Sequence, residues 1–373
     1  LLDIQDYPGQ GSAFVGILDA FMESKGITTP EEWRQWCSPV VPLLEMKKFC
    51  FEDGEKIQAK VKVANYGGSS LKGKKLKWHL AEDEGVLNIF SYDEGLVDVG
   101  ELNGVFHVQQ PTKLLLTLNI EGTEARNSYE LWVYPKKALG KKGVIIAKDL
   151  NDEVVKVLEK GGKVLWMPTA SSHFVTADDT LLQANNKLSQ ANNKLSQADN
   201  ATPYTVGGLF QTDYWNYRMF KTICENNKKK ASPGTLGILT NPEHPIFKGF
   251  PTEMHTNWQW FPVIKESHPL VLDNFAKDYR PIVLVIDNIE RNHKLGLVME
   301  WKVGAGKLLV CMSDLEKAAK YPEGKAFYQS VIDYMRSADF NPSAEITVDE
   351  LKKKLAEKPR QVSLKELNNI SQY

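Results

Sequence analysis

The order of apolar and polar positions changes character along the chain. From residue 43 to about 135 its period is two. Ile57, Ala59, Val61 and Val63 alternate with Gln58, Lys60 and Lys62. Leu76, Trp78 and Leu80 alternate with Lys75, Lys77 and His79. Leu116, Leu118 and Ile120 repeat the pattern, and Leu131-Trp132-Val133-Tyr134 closes it. Successive side chains of a strand point to opposite faces, so these segments read as half-buried strands. Turn signals at Gly67-Gly68, Gly85 and Gly104 separate them. The spacing predicts an antiparallel, immunoglobulin-like β-sandwich over residues 43–137.

After a Lys- and Gly-rich linker the pattern changes. Val144-Ile145-Ile146-Ala147 is a continuous apolar run. Asn151 or Asp149 can cap a helix with the stripe Leu150, Val154, Val157 and Leu158, and Gly161-Gly162 ends it before the run Val164–Met167. That is a βαβ unit, which implies parallel strands with helices on their faces. Further strands are predicted at Leu236–Leu239, Ile282–Ile286, Leu295–Trp301 and Leu308–Met312, the last two joined as a hairpin through Gly304-Ala305-Gly306. Phe327, Val331 and Tyr334 share one face of a final helix. Residues 140–340 are therefore expected to form a flavodoxin-like α/β domain with an antiparallel edge. A tandem heptad at about 180–199, with Leu181, Ala184, Leu188, Ala191, Leu195 and Ala198 spaced 3-4-3-4-3, reads as a helical insertion.

The two ends are shorter units. Residues 1–42 hold a candidate first strand at Leu1–Ile4 and a helix start at Thr29-Pro30-Glu31-Glu32, with the cap residue, Pro at the first turn and Glu three residues on. Trp33, Trp36 and Cys37 share one face of that helix. The opening residues read as the inside of a folded unit, and a segment this short needs another domain to pack on. Residues 341–373 form a charged tail, with helices expected at Thr347–Lys358 and Ser363–Asn369, each with a capping-box start.

Composition narrows the function classes. The formal net charge of −1 over 373 residues offers no footprint for nucleic acid, whose binding depends on neutralised phosphates. No apolar run approaches the roughly 20 residues that span a bilayer. The four cysteines, Cys37, Cys50, Cys224 and Cys311, are too scattered for a disulfide framework or a zinc spacing. Cys224 and Cys311 lie in apolar runs and read as small buried hydrophobes. There is no Gly-x-Ser-x-Gly elbow, no phosphate loop and no GxGxxG, so no cofactor is expected.

The densest chemistry lies at residues 241–261, where two histidines, two carboxylates, two tryptophans and three prolines fall together. Pro and Gly make this a shaped loop. Three readings of His244, Glu243, Glu253, His255, Trp258 and Trp260 stand side by side. As metal ligands the histidines lack a third partner at any supporting spacing. As structural residues, His244 and His255 would hydrogen-bond the loop, and Trp258 and Trp260 would alternate on a strand. As a carbohydrate platform, the aromatic faces would stack on sugar C–H groups and the carboxylates would accept hydroxyl protons. Asp213, Tyr214 and Trp215, in the polar-aromatic stretch Gln211–Tyr217, would line the same cleft at the strand ends.

Several stretches resemble a known family. Leu1-Leu2-Asp3-Ile4-Gln5-Asp6-Tyr7-Pro8-Gly9-Gln10-Gly11-Ser12-Ala13 is similar to the last barrel strand and its loop in family 2 glycoside hydrolases, the β-galactosidase-like enzymes. Leu18-Asp19-Ala20-Phe21 and Ser24-Lys25-Gly26 extend that similarity. Pro30-Glu31-Glu32-Trp33-Arg34 and Cys37-Ser38-Pro39-Val40-Val41-Pro42-Leu43 resemble the segment C-terminal to the barrel, as does a sandwich ending in Trp132-Val133-Tyr134-Pro135. Gly234-Thr235-Leu236-Gly237-Ile238-Leu239, His244-Pro245, Phe250-Pro251-Thr252-Glu253 and Asn257-Trp258-Gln259-Trp260 resemble an extra C-terminal domain of some of these enzymes, similar to ThuA-like proteins and class I glutamine amidotransferases.

The resemblance implies a non-catalytic accessory region of a β-galactosidase-like hydrolase. Residues 1–42 would be a barrel remnant and linker helix, with Asp6, Tyr7 and Gln10 at a barrel-rim loop. The two catalytic carboxylates of such enzymes, about 5 Å apart in the retaining geometry, would lie on strands that precede this chain. The amidotransferase-type cysteine has no counterpart. The implied partners are a carbohydrate ligand, a second copy or the upstream barrel, in a periplasmic or extracellular setting. The alternative is an autonomous ThuA-like enzyme or sugar-sensing module that uses His244, Glu253 and His255.

Overall fold

The computed structural model describes residues 4–6, 16–90, 94–168, 175–176, 203–210, 227, 234–288 and 291–359. The chain divides into two units, one of residues 1–136 with 368–373 and one of residues 137–367. The heptad at 180–199, the stretch Gln211–Tyr217 with Asp213, Tyr214 and Trp215, Cys224, the helix expected at Ser363–Asn369, and Tyr7 and Gln10 lie outside the described residues.

The first unit is a β-sandwich. Its strands are β1 (Val40–Glu45), β2 (Cys50–Glu52), β3 (Lys56–Asn65), β4 (Lys75–Leu80), β5 (Asp83–Asn88), β6 (Gly95–Val105), β7 (Thr112–Ile120) and β8 (Arg126–Tyr134). Among the described residues they form a three-stranded sheet, β1-β3-β6, and a five-stranded sheet, β2-β8-β7-β4-β5. The alternating residues face a shared core: Ile57, Ala59, Val61 and Val63 from β3, Leu76 and Leu80 from β4, and Leu116, Leu118 and Ile120 from β7. Asn127 donates to the Pro42 carbonyl at 2.9 Å and the Leu44 amide donates to the Tyr129 hydroxyl at 3.1 Å, which ties β1 to β8. One pairing departs from the antiparallel expectation: β2 runs parallel to β8, with Cys50 opposite Trp132. The turn at Asp53-Gly54 leads from β2 into the other sheet, so β2 is not the hairpin partner of its neighbour in sequence. Ahead of the sandwich, helix α1 (Pro30–Arg34) carries the full capping box, with Thr29 and Glu32 bonded reciprocally. Asp6 is buried and accepts from Lys25 Nζ at 2.9 Å and the Gly16 amide at 2.9 Å.

The second unit is built on a mixed sheet. Its elements in order are β9 (Ile145–Ala147), α2 (Asp152–Glu159), β10 (Lys163–Trp166), β11 (Val175–Thr176), β12 (Tyr204–Thr205) and β13 (Thr235–Thr240). They continue through α3 (Phe261–Lys265), β14 (Leu270–Val271), β15 (Val283–Asp287), β16 (Lys294–Val303), β17 (Gly306–Cys311), α4 (Leu315–Ala318), α5 (Pro322–Arg336), β18 (Glu345–Ile346) and α6 (Val348–Ala356). Asn151 caps α2 by accepting from the Val154 amide at 3.0 Å, and the βαβ unit of β9, α2 and β10 is parallel. Strand β17 adds parallel to β10.

The flavodoxin-like expectation does not hold. Strands β13, β15, β16 and β17 are antiparallel in succession. Among the described residues of this unit, the parallel strand pairs are those of β10 with β9 and β17 and the short β11–β12 and β16–β18 pairs. The reason lies in the connections. A parallel return needs a crossover of about a dozen residues or more. Six residues separate β15 from β16, and Gly304-Ala305 turns β16 directly into β17. Gly306 is required at that turn: a Cβ there would lie 2.5 Å from the Leu158 carbonyl oxygen and 2.7 Å from that of Gly162. Helix α5 buries Phe327, Tyr328, Val331, Ile332, Tyr334 and Met335.

Candidate functional site

Residues 241–261 fold as two 3-10 turns joined by extended chain, not as a strand. Pro245–Phe247 forms the first turn and Trp258–Trp260 the second. The strand reading of Trp258 and Trp260 therefore fails. Asn257 accepts from the Gln259 amide at 3.2 Å and starts the 3-10 turn that separates the two rings. Trp260 is fully buried, and its Nε1 donates to Thr252 Oγ1 at 2.8 Å. Its ring lies 5.1 Å from those of Phe250 and Phe327. Trp258 instead is 57% exposed, near Met254 at 60% and Phe261 at 53% in the sequence.

The polar side chains of the loop mostly serve its own backbone. His244 Nδ1 accepts from the Ile246 amide at 3.3 Å and caps the first turn. Burial pushes this imidazole below its ordinary value, toward the neutral form that can accept. Asn257 donates to the Glu253 carboxylate. The Glu253 carbonyl accepts from Thr240 Oγ1 at 2.8 Å, which anchors the loop to β13. His255 is exposed, with Nδ1 3.0 Å from the Thr256 carbonyl. Glu243 is exposed, and its amide donates to Asn241. None of these contacts joins His244, Glu253 or His255 to another of the three. Among the described residues, no three His, Cys, Asp or Glu side chains converge as a metal site.

His244 does reach a second feature. A cleft of about 830 Å³ is lined by Thr240, Asn241 and His244 on one side and by Tyr279, Arg280 and Glu300 on another. One lining group is Glu300 of β16, whose Oε2 accepts from Tyr334 Oη at 2.8 Å. Burial raises the Glu300 carboxyl above its ordinary range, outweighing the Tyr334 hydrogen bond and the Lys307 charge, which both lower it. Burial, and then the neighbouring carboxyl, raises Tyr334 well above the usual phenol range, so its hydroxyl remains a donor. The His244 and Tyr334 rings meet edge-on at 5.2 Å. The sequence points to His244 but not to Glu300, Tyr334 or Tyr279. The available signal is a single carboxylate inside the apolar run Leu295–Trp301.

Cys311 is fully buried at the end of β17, and burial pushes its thiol up to about 12. A thiol held protonated is a poor nucleophile.

A family model described as a domain of unknown function, DUF8487, matches residues 145–356. A second domain of unknown function, DUF8488, matches residues 55–135. No curated protein matches the chain. Among solved structures, the CARDB domain of a Pyrococcus furiosus protein is 11% identical, covering 26% of this chain and 94% of that one, with a TM-score of 0.21. An endo-beta-1,4-mannanase from Thermotoga petrophila is 9% identical over 27% of this chain and 21% of that one, with a TM-score of 0.20. The sporulation control protein Spo0M from Bacillus subtilis is 14% identical over 26% of this chain and 49% of that one, with a TM-score of 0.16. At such scores these likenesses say nothing of ligand or activity.

Proposed function

Because the chain belongs to the family of domains of unknown function DUF8487, its role rests on its own residues, and we propose that it is an accessory region of a β-galactosidase-like glycoside hydrolase. It contributes a sugar-facing surface rather than bond cleavage. The observation that carries this reading is the division of labour in residues 241–261. His244, Asn257 and Glu253 hold the loop, while Trp258 stays 57% exposed on it. An indole face on a braced loop can stack on the C–H face of a sugar with little ordering cost. The resemblance of the first 45 residues to the end of a hydrolase barrel supports the same reading and would place the chain outside the cytoplasm. The alternative is an autonomous enzyme using His244, Glu253 and His255, and none of the contacts described above joins one of these side chains to another.

The whole chain should retard on affinity gels containing a galactan, and Trp258→Ala should abolish the retardation. It should not hydrolyse chromogenic β-galactosides. Turnover that accompanies the chain through purification overturns the non-catalytic part. Equal retardation of the Trp258→Ala variant, or none with the parent chain, overturns the sugar-facing surface.

A further inference from the structure

The cleft at Glu300 arises from a break in a sheet edge. Along one edge β16 is bordered by β17 and β14. Along the other, the pairing with β15 reaches as far as Val283 opposite Val298, and β18 begins with Glu345 opposite Lys302. Between these, among the described residues, no strand borders residues 299–301 on that edge. An open edge leaves amide and carbonyl groups that need partners. Here one atom serves both: the Tyr279 hydroxyl donates to the Glu300 carbonyl and accepts from the Glu300 amide, each at 3.1 Å. Tyr279 is held in turn by stacking on Trp301, with ring centres 4.9 Å apart and planes at 14°. A hydroxyl closes the backbone edge without filling the space a strand would occupy. That space is the cleft, bounded by Pro281 and Ile282 before β15 and by Ser343 and Ala344 before β18.

We propose that this gap is a binding site for an uncharged, hydroxyl-rich ligand such as the end of a sugar chain, held through Glu300, Asn241 and Ser343. The site is separate from the exposed indole and does not require it. Its size lies within the roughly 300–1,000 Å³ of small-molecule sites. Tyr334 takes Oε2 of Glu300, and among the described residues nothing is bonded to Oε1. One arginine lines the gap, against the carboxyl side chains of Asp278, Glu300 and Glu345. Arg280 directs Nη1 to the carbonyls of Lys277 and Tyr279 at 2.9 and 3.1 Å, and Asp278 and Glu345 share the rim. Burial favours the uncharged forms of both Glu300 and His244, which disfavours a cation as well. A carboxyl group, an amide and a hydroxyl together offer donors and acceptors in the mixture that vicinal hydroxyls require.

The test uses the whole chain carrying Trp258→Ala, so that the loop makes no contribution, with calorimetric titration of lactose, choline chloride and sodium phosphate. Lactose should bind and the two ions should not. Glu300→Gln, which keeps a hydrogen-bonding group of the same shape, should keep lactose affinity within about twofold, whereas Glu300→Leu should weaken it about tenfold or more. Ser343→Phe, a change at an exposed position of the lip, should also abolish binding with an unchanged melting temperature. The last variant keeps the test decisive if Glu300→Leu fails to fold. Absence of lactose binding, lactose affinity indifferent to Ser343→Phe, or choline binding that Glu300→Gln destroys would each overturn the proposal.

Discussion

Two tryptophans, two residues apart, have opposite structural roles, and replacing each separates them. Trp260 is fully buried among Phe247, Phe250 and Phe327, at ring distances of 6.0, 5.1 and 5.1 Å. Trp260→Ala removes this packing and leaves a cavity between the loop and α5, at a cost of about 3–5 kcal/mol. It also removes the donor to Thr252 Oγ1, a hydroxyl that keeps the Glu253 carbonyl at 3.2 Å as its own acceptor. The packing loss therefore dominates. Trp258→Ala, at a site 57% exposed, should stay within about 0.5 kcal/mol. With a urea slope of about 3 kcal/mol/M, a loss of about 4 kcal/mol moves the midpoint down by roughly 1.3 M, against less than about 0.2 M for Trp258→Ala. The measurement is urea unfolding of the whole chain by far-ultraviolet circular dichroism, because tryptophan fluorescence would change with the substitution itself. Two units can give two transitions, and only one should move. Equal shifts for the two variants, or a shift below about 0.3 M for Trp260→Ala, would refute the division between core and surface indole.

Three further expectations concern charge. Burial holds the Glu300 carboxyl above its ordinary value of 4.5, so the folded chain keeps a proton that the unfolded chain has released. Its contribution is full below that value and is lost as pH rises through the folded one; Glu300→Gln should gain melting temperature over the parent between pH 4 and pH 7, and a difference independent of pH would count against it. His244 behaves oppositely: its folded value lies below 6.5, so the unfolded chain takes up a proton first as pH falls and stability drops with it. His244→Asn keeps a capping acceptor but not the titration, so its melting temperature relative to the parent should improve on going from pH 7 to pH 5. Arg291 donates to Asp287 Oδ1 through Nη2 at 2.7 Å and Nε at 3.0 Å, both side chains being nearly excluded from solvent. Arg291→Ala should cost about 3–5 kcal/mol in thermal unfolding, and a loss under about 1 kcal/mol would show that the pair is solvated.

The parts of the fold that were legible depend on short-range patterns. The alternation in β3, β4 and β7 places their apolar residues in the sandwich core, and the caps at Thr29 and Asn151 act within three residues of themselves. The turn at Gly304-Ala305 is equally local. The parallel pairing of β2 with β8 was not legible, because it joins Cys50 to Trp132, which lie far apart in the chain. The same limit explains the flavodoxin-like reading. The βαβ unit of β9, α2 and β10 is local and legible, but extending it over the domain assumes crossovers for which the connection between β15 and β16 is too short.

The site was less legible for a related reason. Irregular chain has few ladder bonds, so its polar side chains are needed to satisfy nearby backbone. Asn241 serves Glu243, His244 serves Ile246 and Asn257 serves Gln259, each two residues away. A dense run of chemically capable residues in a Pro-rich loop is therefore as much a sign of backbone accounting as of a reaction. Glu300 is the opposite case. It shares a strand face with Val298 and Lys302, and Val298 is fully buried. A carboxylate two positions from a buried valine, on a strand that β17 borders, must be partly desolvated once α5 supplies Tyr334. Its environment depends on where β15 and β18 begin, about sixty residues apart in sequence, a long-range boundary that neither periodicity nor motif encodes.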